Sequence, residues 1–329
     1  MFLPVFSLPV PGRYSLALCG KSPCARVGQN SLYLPPLEPG SKNGKVVIIA
    51  GANPSGSFAD SYFIDLGKLG WVNLLPRYEH AAFVPTSRPN TVWVYGGASE
   101  TSNRNCVQVL DLESELWEKP KVRGDPPSPR TFHTSTAAIG DRLYVFGGGH
   151  KGVDPVQDQQ LHVFDSATLT WSQPEVYGQP PAPRHGHVVV AVENRLFVHG
   201  GLAGDTFYDD LFSIDIKDLK WEKLAASGSI PGGRAAHSAV AFQSHIYVFG
   251  GMDPTGELNT MYRYHLEKKH WTQLEFNAPV PSGRLDHSMC VIPWETSGGR
   301  THLCLVFGGM NMKGQIYDDC IVSLLEEGS

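Results

Sequence analysis

Apolar and polar positions alternate along this chain in short runs, and the runs return. An apolar stretch ending in two glycines reads Leu143-Tyr144-Val145-Phe146-Gly147-Gly148 and comes back at 92–97, 196–201, 246–251 and 304–309. An earlier copy at 46–51 carries Ala50 in place of the first glycine. A period of two predicts strands, and no stretch of useful 3.6-residue period interrupts them. Ahead of each run stands Arg-x-x-His: Arg77/His80, Arg130/His133, Arg184/His187, Arg234/His237 and Arg284/His287, with Arg26/Gln29 as the first copy. Behind five of the six runs comes an indole. Trp71, Trp117, Trp221 and Trp271 lie 20 residues after the second glycine, and Trp171 lies 23 after.

Six copies of about 50 residues with these marks form the kelch pattern. Each copy predicts four short strands: one after Arg-x-x-His, one ending at Gly-Gly, one before an acidic residue (Leu161-His162-Val163-Phe164-Asp165), and one carrying the Trp. A four-stranded sheet buries both faces only when packed against others, and radial closure leaves short, protected edges. The fold class is therefore all-β: one six-bladed propeller over residues 1–329, with six repeats between 23 and 325 and no second domain. Ser329 falls where a sixth Trp is due, so the last blade lacks its outer strand. In four blades the Trp lies 13 residues before the next Arg, and counting 13 back from Arg26 reaches Arg13. Residues 13–18 alternate as a strand should, which predicts that they close the ring, with 1–12 an atypical extension. Trp71 stands only 6 residues before Arg77, which predicts a truncated outer strand or connection in blade one.

A residue repeated in every blade is scaffold, because a catalytic site occurs once. The glycines permit close backbone approach. The Trp buries a large ring between blades and can satisfy its N–H. The Arg and His are placed to bond backbone carbonyls where the chain crosses to the next blade. Function then belongs to what breaks the repeat. The segments after Gly-Gly (52–60, 98–105, 149–159, 202–207, 252–259 and 310–316) differ in every blade, and variable loops on a rigid frame are the usual binding surface. Phe58, Arg104, Lys151, Phe207, Met252, Met310 and Met312 are the candidates for a protein contact there.

Composition narrows the classes. Lys+Arg 27 against Asp+Glu 32 leaves a net charge of −5 without a basic block, a poor match to nucleic acid. No run is long and apolar enough to span a bilayer. The N-terminus lacks a basic leader region and is broken by Pro4, Pro9 and Pro11, so it is not read as a signal peptide. Six cysteines (Cys19, Cys24, Cys106, Cys290, Cys304, Cys320) are scattered with no C-x-x-C, which points to a reducing compartment.

Catalytic readings find little support. Asp154-x3-Asp158-x3-His162 has metal-ligand types and is similar to the Glu-x3-Asp-x3-His iron motif of plant kelch specifier proteins. Its first residue differs, and its His lies in a third strand; no metal site is assigned. Copper radical oxidases share the scaffold but need a Tyr–Cys pair with two His, and no Cys here stands out with such partners. The doublets Asp209-Asp210 and Asp318-Asp319 are read as strand-entry turns. His199, where neighbouring blades have Phe or Tyr, is read as a core histidine. Glu79 and Asp286 are placed near the channel. No catalytic residue, cofactor or metal is predicted.

Longer strings carry a closer resemblance: Leu75-Pro76-Arg77-Tyr78-Glu79-His80, His199-Gly200-Gly201-Leu202-Ala203-Gly204-Asp205, Gly283-Arg284-Leu285-Asp286-His287-Ser288, and Ile316-Tyr317-Asp318-Asp319-Cys320. Together they resemble the Rab effectors among kelch-repeat propellers, over about residues 14–322. The resemblance implies a non-enzymatic protein that binds the GTP form of a late-endosomal Rab GTPase and acts in endosome to trans-Golgi network transport. It also implies a cytoplasmic protein held at the endosome surface through partners, with contact to a phosphoinositide kinase. This chain departs from that pattern before Tyr14, in the blade-one connection, and at 295–301, where a longer polar insertion is expected. Two other readings stand beside it: a substrate receptor for a ubiquitin ligase, and a metal-dependent kelch enzyme.

Overall fold

The computed structural model describes residues 13–15, 23–36, 44–65, 69–131, 137–151, 154–275, 281–296 and 299–325. Among the described residues every regular element is a strand; the long strands form six blades around an axis, each with four antiparallel strands, and four two-stranded hairpins stand beside them. Blade one is built from Asn30–Leu34, Lys45–Ile49, Asp60–Asp65 and Leu69–Asn73. Blade two uses Ala81–Phe83, Thr91–Tyr95, Val107–Asp111 and Leu116–Glu118. Blade three uses Ala137–Ile139, Arg142–Val145, His162–Asp165 and Thr170–Ser172. Blade four uses Val188–Val192, Arg195–His199, Leu211–Asp215 and Lys220–Lys223. Blade five uses Ser238–Phe242, His245–Phe249, Met261–His265 and His270–Leu274. Blade six uses Ser288–Thr296, Gly299–Phe307 and Cys320–Leu325, and Arg13–Ser15 completes it.

That last pairing closes the ring. Arg13 lies opposite Ser323, Tyr14 opposite Val322 and Ser15 opposite Ile321. The first and last parts of the chain thus share one sheet, as the spacing of 13 predicted. Of the predicted closing segment, 16–18 lie outside the described residues. In blade one the outer strand is full length, and it is the connection to blade two that is truncated.

The core is divided into six clusters, each between neighbouring blades. Trp171 of blade three packs on Tyr95 of blade two at 4.6 Å. Trp221 packs on Phe146 of blade three at 5.1 Å, and Trp271 on His199 of blade four at 5.2 Å. A buried indole removes about 150–250 Å² from water, roughly 4–6 kcal/mol of gross stabilisation. The expected hydrogen bond from the indole N–H is not made: Nε1 of Trp117, Trp171 and Trp221 meets no acceptor among the described residues. Ring packing between blades places the Trp, not its polar atom. The side chain of Trp71, all of His133 and Cys19 lie outside the described residues. The closing cluster joins Val46, Ile48 and Tyr62 of blade one to Leu303, Leu305 and Phe307 of blade six.

The paired glycines sit where blades meet. Gly250 has φ 68°, and a Cβ on it would lie 2.7 Å from Cε1 of His287 and 2.8 Å from the carbonyl oxygen of Arg284, both in blade six. A left-handed backbone costs a side-chain-bearing residue about 1–2 kcal/mol, and the contact with a main-chain oxygen cannot relax by a rotamer change. Gly250→Ala should therefore lower stability by about 2–4 kcal/mol in urea titration. A loss under ~1 kcal/mol would show that the blade interface yields freely.

Candidate functional site

Six arginines form the frame beneath the candidate face. Arg26, Arg77, Arg130, Arg184, Arg234 and Arg284 are all buried. Each donates through Nη1 to the carbonyl at the first glycine position of its own blade: Ala50 at 2.8 Å, Gly96 at 3.0 Å, Gly147 at 3.1 Å, Gly200 at 2.9 Å, Gly250 at 3.2 Å and Gly308 at 3.0 Å. Four have a carboxylate as well. Arg26 meets Asp60 at 2.8 Å, Arg130 meets Asp158 at 2.9 Å, Arg184 meets Asp210 at 2.6 Å and Arg284 meets Asp319 at 2.6 Å. In blades two and five no carboxylate partner is found among the described residues: Arg77 bonds Gln108, and Arg234 reaches Thr260 Oγ1 at 3.4 Å. There burial pulls both guanidinium pKa values below their ordinary range.

This corrects the reading of the acidic doublets. Asp210 and Asp319 are counter-ions of buried arginines, Asp210 mostly buried and Asp319 partly open to solvent, whereas Asp209 and Asp318 are exposed. Asp158 is likewise committed to Arg130, and its Oδ2 lies 2.6 Å from Nε2 of His162. Asp154 is exposed on a hairpin, so the three residues do not converge, and no group of three metal-ligand side chains forms among the described residues.

Around the axis the third residue of Arg-x-x-His has a left-handed backbone in the five blades where it is described: Gly28, Glu79, Gly186, Ala236 and Asp286. Their main chains bond blade to blade. Gly28 donates to Asp286 at 3.0 Å, Glu79 to Gly28 at 2.7 Å, Asp286 to Ala236 at 3.0 Å and Ala236 to Gly186 at 2.8 Å. The motif's last residue reaches across as well. His187 Nε2 lies 2.9 Å from the carbonyl of Phe146, and Gln29 donates to that of Phe307 at 2.8 Å. Where Phe is replaced by His199, His237 meets its ring nitrogen at 3.1 Å instead. Burial holds His80, His199 and His287 down to about 3 and pushes His237 well below the ordinary range.

The segments after Gly-Gly are small hairpins rather than open loops. They include Ala52–Asn53 with Gly56–Ser57, Gly149–Lys151 with Asp154–Pro155, Leu202–Ala203 with Thr206–Phe207, and Met252–Asp253 with Gly256–Glu257. Single bridges, Ala98 to Asn103 and Met310 to Ile316, do the same in blades two and six. Each hairpin is clipped to the residue after the blade's Arg, as Ala235 to Met252 and Leu285 to Met310. Neighbouring hairpins also touch. Ser57 N donates to Glu100 at 3.3 Å, Asn103 to the carbonyl of His150, and Met312 N to Glu257 at 3.3 Å. The result is a linked rim of differing tips on one face.

The predicted contact residues are distributed around that rim. Phe58 is not free: its ring covers the Arg26 guanidinium at 4.3 Å, as Tyr208 covers Arg184 at 4.0 Å and Tyr317 covers Arg284 at 4.4 Å. Arg104 takes the same slot in blade two, where its amide donates to Gly97 at 2.7 Å. Phe207 lies over Gly233 of the following connection. Met252 and Met310 are half-buried at the clips, whereas Met312 is 56% exposed at a tip. Lys151 belongs to a hairpin by its backbone, and its side chain lies outside the described residues. Met310 and Met312 share the tip of blade six, where Met312 N meets Glu257; the others stand in separate blades. In the sequence only Glu79 and Asp286 point to the axial belt, because its third position holds Gly, Glu, Phe, Ala or Asp in different blades. The repeat spacing was the other signal that marked it.

A closed six-bladed ring with this Arg, Gly-Gly and Trp frame is a kelch propeller, and the KLHDC2/KLHL20/DRC7 Kelch-repeats domain model matches residues 41–251 and 152–327. Similarity extends further to individual proteins. The chain is 61% identical to Rab9 effector protein with kelch motifs of Bos taurus, 58% to that of Homo sapiens and 59% to that of Gallus gallus, each over 95% of both chains. It belongs to this family of kelch-motif proteins.

Proposed function

We propose that this chain is a Rab effector: a non-enzymatic propeller that binds a Rab GTPase in its GTP form through the hairpin rim. The observation that carries the reading is the match over 95% of the chain to relatives named as Rab9 effectors. The rim supports it physically. A rigid frame with differing tips, some apolar and some charged, suits a protein surface. In this reading the protein acts in endosome to trans-Golgi network transport, sits at the endosome surface through its partners and contacts a phosphoinositide kinase. Among the described residues no helix is long and apolar enough to cross a membrane.

The test is retention of the folded chain on a panel of Rab proteins loaded with a GTP analogue or GDP. Selective retention on one GTP-loaded late-endosomal Rab is expected, weakened at least tenfold by Met312→Asp at the exposed tip. Equal retention on both nucleotide forms, or none, would overturn the effector reading.

A further inference from the structure

In blades three, four and five the outer strand is not the edge of the sheet. The connection arriving from the preceding blade lies parallel beside it as a strap. In blade three, Arg123 N donates to the Leu169 carbonyl at 2.8 Å and Trp171 N to the Arg123 carbonyl at 2.9 Å. In blade four, Tyr177 N donates to Leu219 at 2.8 Å and Trp221 N to Tyr177 at 2.8 Å. In blade five, Ser227–Gly228 pairs with His270 and Trp271.

The three straps share a chemistry. An apolar residue (Val122, Val176, Ala226) packs into the interblade cluster beside the Trp. The residue after it makes the strap's backbone bonds, and a glycine follows. At Gly124, Gly178 and Gly228 φ is 75°, 77° and 81°, and a Cβ would come within 2.3, 2.6 and 2.2 Å of the carbonyl oxygen of Trp171, Trp221 and Trp271. Only glycine lets the strap lie this close.

Blade two has no strap, because the connection from blade one is just 74–76 before Arg77. Its outer strand is nevertheless built like the others. Glu115 has φ 58°, matching Leu169, Leu219 and Lys269, and Trp117 faces Leu110 as Trp171 faces Phe164. By that register the Trp117 N–H and the Glu115 carbonyl point outward, and among the described residues no backbone group bonds them from that side. Side chains record the same gap. Trp171, Trp221 and Trp271 are 3%, 3% and 1% exposed, whereas Trp117 is half-buried. Leu116 is 61% exposed, at a position held elsewhere by Thr170, Lys220 or His270.

We propose that the outer edge of blade two is a docking site for an extended segment of a partner protein, of the form apolar–basic–Gly, which adds there as a parallel strand. Backbone bonds to Glu115 and Trp117 hold it, its apolar side chain covers Trp117, and its glycine clears the Trp117 carbonyl. The basic residue is specified by charge. The edge presents Glu113, Glu115 and Glu118, all exposed, and the strap residue Arg123 already shows a guanidinium in this position, reaching the carbonyl of Thr168 at 3.0 Å. The proposal is independent of the Rab reading, since the edge lies on the ring's circumference and not on the hairpin rim.

The probe is a peptide with the sequence of residues 119–127, Lys-Pro-Lys-Val-Arg-Gly-Asp-Pro-Pro, added to the full chain. Saturable binding by fluorescence anisotropy is expected, weakened at least fivefold by Arg→Glu in the peptide and by Glu115→Lys or Leu116→Glu in the protein. Both protein changes are on exposed side chains and leave the ladder intact. Hydrogen exchange gives the second readout. The Trp117 amide should exchange at least tenfold faster than that of Trp171 in the free protein and slow on binding. Three results would overturn the proposal: no saturable binding at millimolar peptide, binding indifferent to Glu115→Lys and Leu116→Glu, or a Trp117 amide already protected in the free protein. If deleting residues 1–12 exposed such a protected amide, the chain's own N-terminus would be the occupant.

Discussion

Arg184→Met should cost about 3–5 kcal/mol of stability, whereas Arg234→Met should cost about 1–3 kcal/mol. Arg184 joins four groups: the Gly200 carbonyl at 2.9 Å, the Ala182 carbonyl at 3.0 Å, Asp210 at 2.6 Å and the ring of Tyr208 at 4.0 Å. Removing the cation leaves Asp210 mostly buried, with only Lys223 at 3.9 Å as a distant counter-charge. An orphaned buried charge accounts for the larger figure. Arg234 bonds the carbonyls of Gly250 and Gly232 and the hydroxyl of Thr260, so its loss strands neutral groups alone. Urea titration of both variants checks the difference, and Asp210→Asn in the Arg184→Met background should restore part of the loss. Equal costs at the two sites would mean that carbonyl bonding, and not the ion pair, sets the frame's strength.

Acid should destabilise this propeller well above the pH at which carboxylates titrate. His80, His199 and His287 are held at about 3 by burial, and His237 is pushed well below its ordinary range. An unfolded histidine titrates near 6.5. Between these values the unfolded chain binds protons that the folded chain refuses, so stability is full above about pH 6.5 and falls as pH drops. Each histidine contributes a slope of up to about 1.4 kcal/mol per pH unit, and the four together up to about 5. Against a total of about 5–15 kcal/mol, that is enough to unfold the chain above pH 4. A second loss follows at lower pH, where Asp158 and Asp165, both held below the ordinary range in the fold, take up protons. Urea midpoints at pH 7.5, 6.5 and 5.5 measure the slope. His199→Phe, which installs the residue used at this position in blades three, five and six, should flatten it by about one proton. A midpoint unchanged from pH 7.5 to 5.5 would show that the histidines are hydrated or charged in the fold.

The architecture was legible because a propeller is periodic. Gly-Gly, Arg-x-x-His and Trp recur at fixed spacing, since each blade must solve the same packing problem. The same arithmetic located the closing strand at Arg13, where no Trp marks it. What the spacing could not carry was any relation between blades. The indole placement depends on Tyr95, Phe146 and His199 in the preceding blade. The roles of Asp210 and Asp319 depend on arginines 26 and 35 positions away. Phe58 looked like a loop aromatic open to a partner and proved to be the lid of Arg26.

The short blade-one connection shows the division most plainly. The sequence alone determined the six-bladed class, the closure and the anomaly between Trp71 and Arg77, because these follow from counting repeats. Only the tertiary structure decided what the anomaly does. It strips the strap from the next blade's outer strand and leaves Leu116 exposed and Trp117 half-buried. Strand pairing is made by backbone groups, whose identity is the same at every residue, so a missing partner leaves no mark in the sequence of the strand that lacks it.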